Sequence, residues 1–508
     1  MRIVLATPEC VPFIKGSGLA DMVGELARAL CDRGHEVTIL HPYYFDIDQE
    51  GYPVFDTGMK LRVPVGDRFL DATVVGLKQT GGPKIVFLAH QDLFSLPGIY
   101  ADKHGPYINN AERFTFFSRG ILEYCREAEL KPEIIHCFDW ATGLIPPYLD
   151  KIAGKGGSLN AGSVYTIFNI KRQGIFERHH MHLTGFGKSN FTPEILEYFG
   201  KISFMQAGIK AARAVSTTSV RFAAEICTDE FGYGLENALQ SRKDQLHGIT
   251  NGINITKWNP ARDRFLKANY SCDEMVGKRS CKVDLQTEFD LPRDVDVPLL
   301  AILPPLNDTR GIDLIATNIK KIMNLKVQLI VIGNGQKKLE GIFRQAAREY
   351  VEQLGYRDQA NNLLKHKLLG GSDLLLIPSR FEPSGTDHLR GMRYGTIPLV
   401  RATGALDDAV NRYEAAKSAE STGFKFQDPE PQPFFRELRR SVDVYRKQRP
   451  KWRQLVSNAM KKDYSWDKTA GLYEELYEAA VRKRSRKKKK PNSKKDTNSI
   501  SAREHASP

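Results

Sequence analysis

The first forty residues, MRIVLATPEC VPFIKGSGLA DMVGELARAL CDRGHEVTIL (Met1–Leu40), decide the fold. Ile3 to Ala6 is a continuous apolar run, the pattern of a strand buried on both faces. A loop containing Lys15-Gly16-Ser17-Gly18 follows, and then Leu19, Met22, Val23, Leu26 and Leu30 recur at helical spacing up to Cys31. Gly34 ends that helix, and Val37-Thr38-Ile39-Leu40 restarts a strand. Strand, Gly-rich loop, helix, strand is a βαβ unit, which predicts a parallel sheet.

Working outward, the pattern repeats. Lys84 to Leu88 reads as a strand, Ala111 to Glu127 as a helix, and Glu133 to His136, Val164 to Ile167 and Ala214 to Thr217 as further strands. A turn-rich stretch from Thr250 to Pro260 precedes a second series, with strands at Leu299–Leu303, Val327–Ile332, Leu374–Ile377 and Ile397–Val400. Helices close the chain at Phe434–Arg446, Lys451–Met460 and Trp466–Val481. The fold class is therefore α/β, with two doubly wound domains joined near residue 255 and a ligand cleft between them.

The net charge of +14 suggests a polyanion partner until its position is examined. From Arg482 to Pro508 the chain carries +9, leaving +5 for the other 481 residues. The excess thus belongs to a tail, read as disordered, whose bland role is a solvated extension and whose functional role is weak polyanion binding through Arg482 to Lys495. No apolar run approaches the ~18–20 residues of a membrane span. Seven cysteines with no C-x-x-C pair read as free thiols in a reducing compartment. With no leader pattern at Met1, the cytoplasm is the expected location.

Three motifs stand at predicted strand ends. Lys15-Gly16-Ser17-Gly18 combines glycines that admit a ligand with a positive charge, and reads as a phosphate or sugar site or as an ordinary Gly-rich turn. In His136-Cys137-Phe138-Asp139-Trp140, Asp139 caps the following helix or binds a sugar hydroxyl. Asn169, in Thr166-Ile167-Phe168-Asn169, ends the next strand in the same style. In Arg380-Phe381-Glu382-Pro383-Ser384-Gly385-Thr386-Asp387, a carboxylate and backbone amides offer a sugar and phosphate site, or Asp387 lies in the first turn of a capped helix. The acid pairs Asp46/Asp48 and Asp294/Asp296 read as exposed loop residues, and no metal site is expected.

Together these stretches resemble the bacterial glycogen and plant starch synthases, retaining glucosyltransferases of GT-B architecture that use ADP-glucose. The resemblance runs from residue 1 to about residue 480. It is carried by Pro106 to Ser118, Gly248 to Ile253 with Trp258-Asn259-Pro260, Ala268 to Ser271, Pro378 to Pro383 and Arg393 to Pro398. It implies an acceptor-side domain over 1–254, a donor-nucleotide domain over 255–465, a helix over 466–481 that crosses back, and the tail over 482–508. It further implies donor contacts at Lys15, Gly18, Gly385, Thr386 and Asp387, with Tyr356 beside the adenine. Glu382, Asp139 and Arg310 take catalytic positions, and Glu9 and Asn169 lie near sugar or acceptor. No metal or other cofactor is implied. The partners are ADP-glucose and an α-1,4-glucan.

The sequence departs from the family pattern where the chemistry is expected. A phosphate-binding arginine of the family falls at Pro305, and a lysine falls at Arg310. Two histidines fall at Phe138 and Phe168, a glycine at Ser17, and the Cys-Gly-Leu-Thr run at Ser384-Gly385-Thr386-Asp387. Three functions remain open at this stage. One is glucosyl transfer from ADP-glucose, another is a catalytically impaired homologue that binds glucan or nucleotide, and the third is transfer from a different donor.

Overall fold

The computed structural model describes residues 1–153 and 159–488. The first sheet is built from β1 (Arg2–Ala6), β2 (Glu36–Pro42), β3 (Val54–Val65), β4 (Arg68–Leu77), β5 (Lys84–Ala89), β6 (Ile134–Phe138), β7 (Gly162–Ile167), β8 (Ala214–Thr217) and β9 (Leu246–Gly248). Its order is β9-β8-β7-β6-β1-β2-β5-β4-β3. All neighbours are parallel except β3 with β4 and β4 with β5. The apolar runs of β1, β6 and β7 are buried along almost their whole length, as strands covered by helices on both faces must be.

The second sheet comprises β10 (Leu299–Ile302), β11 (Gln328–Ile332), β12 (Leu354–Arg357), β13 (Leu374–Ile377), β14 (Ile397–Arg401) and β15 (Phe424–Phe426). Every pairing is parallel, in the order β12-β11-β10-β13-β14-β15. This is the strand order of a dinucleotide-binding fold. The chain crosses to the other side of its starting strand between β1 and β6 in the first sheet and between β10 and β13 in the second. Ligands of open α/β sheets bind at such switch points, beyond the carboxyl ends of the strands.

Two hydrophobic cores form, one over Ile3–Ile249 and the other over Ile253–Met460. The first also takes Trp466, Ala470, Tyr473, Leu476, Tyr477 and Ala480, so the last helix returns to the first domain. That helix runs from Trp466 to Lys488, past the expected end at Val481. The first residues of the basic run, Arg482 to Lys488, continue that helix. Residues 489–508 lie outside the described residues.

Candidate active site

The loop after β1 is held by Glu9. Its carboxylate accepts the Gly16 and Ser17 amides at 2.7 and 2.6 Å and the Ser17 hydroxyl at 2.7 Å. Burial pushes the Glu9 carboxyl up, and those three bonds offset part of the effect. Gly16 packs closely here, since a Cβ would meet Ile99 Cδ1 at 2.9 Å and Glu9 Oε2 at 3.3 Å. Ser17 caps the following helix by accepting the Leu19 amide at 3.1 Å. Lys15 projects from this loop, largely exposed, with Nζ 2.5 Å from Asp21. Gly18 faces the ring of Phe168.

Asp139 follows β6 on the other side of the same switch point. It does not cap the next turn. Its backbone takes a φ of +54°, which aims the side chain across to the end of β7. There Oδ1 accepts the amides of Phe168 at 2.7 Å and Asn169 at 3.1 Å. Burial raises the carboxyl to about 7 despite those two donors. Asn169 Oδ1 accepts the Lys171 amide at 3.1 Å. Phe168 is buried against Gly18, and Phe138 is wholly buried, its ring centroid 4.0 Å from that of His136.

At the second switch point, Arg310 follows β10 and Glu382 follows β13, and the two form an ion pair. Glu382 also accepts the Ser379 hydroxyl at 3.1 Å. Gly385 touches the Glu382 carboxylate so closely that a Cβ would lie 2.5 Å from Oε1. Burial lowers the Arg310 guanidinium from its ordinary value, leaving it a cation. The crevice between these residues, lined also by Pro304, Asp387 and His388, is nearly filled, at about 20 Å³. Thr386 precedes the helix Asp387–Arg393, whose first residue is held by Lys365 at 2.8 Å and Arg390 at 3.0 Å. Tyr356 is the penultimate residue of β12, half-buried, under the guanidinium of Arg344.

A cavity of about 900 Å³ opens against the first switch point. Lys15, Tyr100, Trp140, Arg172, Gly174 and Phe176 line it. Tyr100 and Trp140 pack with ring centroids 5.4 Å apart, giving an aromatic wall of the kind that sugar rings stack on. Across the domain boundary, Thr218 donates to the Pro383 carbonyl at 2.5 Å, and Glu225 accepts the Gly404 amide. With the Lys171 ammonium, two residues past Asn169, 4.2 Å from the ring of Phe381 next to Glu382, the strand ends of the two sheets meet across the cleft. No group of three or more His, Cys, Asp or Glu side chains suited to a metal occurs among the described residues.

Residues 2–241 match the family model described as starch synthase catalytic domain, and residues 285–459 that of glycosyl transferases group 1. The glycogen synthase of Anaeromyxobacter sp. (strain Fw109-5) is 37% identical over 479 residues, covering 94% of this chain and 99% of that protein. The chain belongs to the glycogen and starch synthase family. The glycogen synthase of Desulforudis audaxviator (strain MP104C) is 36% identical over 495 residues, covering 95% and 97% respectively. The catalytic domain of Arabidopsis thaliana starch synthase IV, solved with ADP and acarbose, superposes with a TM-score of 0.84 at 28% identity, covering 95% of this chain and 99% of that one. The fold is thus GT-B, with a hexosyltransferase's two domains. No described helix is long and apolar enough to cross a membrane.

In this synthase, Glu9, Lys15, Gly18, Asp139 and Asn169 come together at the first switch point, and Arg310, Glu382, Gly385, Thr386 and Asp387 at the second. Tyr356 stands apart on the edge of the second sheet. Sequence reasoning missed Tyr100 and Arg172, which no motif marks, and passed over Trp140 although it adjoins Asp139. It also missed Lys365 and Arg390, whose signal is only a cation on each of two helices flanking β13.

Proposed function

We propose that this protein transfers glucose from ADP-glucose to the 4-hydroxyl at the non-reducing end of an α-1,4-glucan, with retention of configuration. The single observation that carries the reading is the opposition of the two switch points, Lys15 and Asp139 on one and Arg310 and Glu382 on the other, in a chain of this family.

The chemistry follows from those residue types. As the glycosidic bond to phosphate breaks, negative charge grows on the departing ADP and positive charge on the sugar. Lys15 and Arg310 meet the first, and the Asp139 and Glu382 carboxylates meet the second. Groups fixed before the reaction stabilise the transition state without reorganising, and loss of one such contact costs ~2.7–4 kcal/mol. The phosphate that leaves accepts the proton of the attacking hydroxyl on the face it vacates, which accounts for retention. The cavity with Tyr100 and Trp140 suits the glucan chain, and Tyr356 the adenine. In this reading no metal or cofactor is needed, since the chain's own cations take the phosphate charge. The free thiols fit a cytoplasmic location.

A second reading, a homologue that binds without turnover, draws on Pro305 and on the nearly filled crevice around Arg310 and Glu382. Initial rates with ADP-glucose and UDP-glucose on glycogen separate the possibilities. The proposal requires a higher kcat/KM with ADP-glucose. Preference for UDP-glucose overturns the donor assignment, and no rate with either supports the binding protein.

A further inference from the structure

We propose that Lys365 is a donor-phosphate ligand of this protein, parked on Asp387 until the diphosphate enters; this rests on the ADP-glucose reading above. Lys365 belongs to the helix Asn362–Gly371, and its ammonium lies 2.8 Å from Asp387 Oδ1. Arg390 Nη1 lies 3.0 Å from the same oxygen. Two cations on one carboxylate oxygen leave a positive charge over. Burial alone would raise the Asp387 carboxyl, but Lys365, Arg390 and Arg310 together hold it below the usual carboxylate range.

The excess charge faces the cleft. Beyond Asp387 and Arg390, the charged group that acts on Lys365 is Lys15, which comes from the Gly-rich loop of the opposite domain. The Lys365 side chain is one-quarter exposed, and burial lowers its ammonium from the ordinary lysine value while Asp387 holds the charge. Lys15 is held by one carboxylate, Asp21, and Arg310 by another, Glu382. At the second switch point Arg310, Lys365 and Arg390 thus share Glu382 and Asp387, an imbalance that a diphosphate corrects. A lysine ammonium is a compact point charge on a flexible stem, able to swing from a carboxylate to a phosphate. Pro305 brings no charge to this end of the cleft, and Lys365 brings one from a different element.

The test is calorimetric titration of ADP and of adenosine into wild type, Asp387→Asn, Lys365→Ala/Asp387→Asn and Lys365→Arg/Asp387→Asn. Removing the Asp387 charge separates a lysine that binds phosphate from one that only neutralises its neighbour. The expected result is ADP binding by Asp387→Asn at least as tight as wild type. Binding should weaken about ten- to a hundredfold in the Lys365→Ala double variant and recover with arginine, while adenosine binds all four alike. If the Lys365→Ala double variant matches Asp387→Asn within about twofold while wild type binds ADP, Lys365 serves only Asp387 and the proposal is wrong. Equal weakening toward ADP and adenosine also overturns it. If wild type itself does not bind ADP, the donor reading fails and takes this proposal with it.

Discussion

Arg310 and Glu382 form an ion pair across the second switch point, joining the loop after β10 to the loop after β13. The cation assigned to the leaving phosphate and the carboxylate assigned to glucose therefore neutralise one another. A donor must part them, exchanging one paired state for another rather than creating charge in a buried place.

Replacing Glu382 by glutamine keeps its shape and frees Arg310. Glucosyl transfer should fall about a hundred- to a thousandfold in kcat. ADP affinity by calorimetry should hold or tighten, because Arg310 no longer has a competing carboxylate. Weaker ADP binding together with unchanged kcat would contradict the assignment.

Placing arginine at position 305 tests whether the cleft lacks a cation. With Lys365 and Arg310 in place, Pro305→Arg should raise kcat/KM for the donor less than about tenfold, well short of the effect of a missing transition-state contact. A gain of a hundredfold would mean that the charge was absent.

Asp139 sets a pH dependence in both rate and stability. Its folded carboxyl titrates at about 7, above the ordinary aspartate value, so the folded state keeps a proton that the unfolded chain releases near pH 4. This group costs stability progressively as pH rises from about 4 to 7, by up to about 4 kcal/mol, and the cost disappears below that window. Asp139→Asn should therefore raise the Tm at pH 8 while leaving it unchanged at pH 4. If the ionised carboxylate supports the oxocarbenium-like sugar, wild-type kcat should rise through an apparent pKa near 7, and the variant should lose that rise along with most of its rate.

The C-terminal helix divides into two parts with opposite sensitivities. The buried Tyr477 hydroxyl pairs with His136 Nδ1 at 2.8 Å, His136 Nε2 pairs with Thr166 Oγ1 at 2.6 Å, and Thr166 bonds Ser216 Oγ at 2.6 Å. Tyr477→Phe leaves the first imidazole nitrogen unpaired and should cost about 1–3 kcal/mol in urea unfolding. Deleting Arg482 to Pro508 should leave transfer unchanged and lower the salt needed to elute the protein from heparin. Unchanged elution would remove any polyanion role for the tail.

The α/β class was legible because parallel strands buried on both faces appear as continuous apolar runs, as in Leu299–Ile302 and Leu374–Ile377. The antiparallel hairpin Val54–Leu77 was not, since one end of β3 is exposed and its charged residues hide the alternation. β12 was missed as a four-residue strand ending in Tyr356 and Arg357. At the site, strand ends located Asp139 and Glu382 directly. What Asp139 does there depended on its positive φ, which composition does not reveal, and the cap reading failed for that reason. Lys365 and Arg390 were invisible because their importance comes from meeting on one carboxylate oxygen, a relation between two helices rather than a spacing within one.

The most direct measurement is incorporation of radiolabelled glucose from ADP-glucose into glycogen by the purified full-length protein, with Glu382→Ala as background. The account predicts time-dependent incorporation into the polymer at the non-reducing ends, at least about a hundredfold above that background. Incorporation no greater than in Glu382→Ala, with both proteins folded, would contradict it.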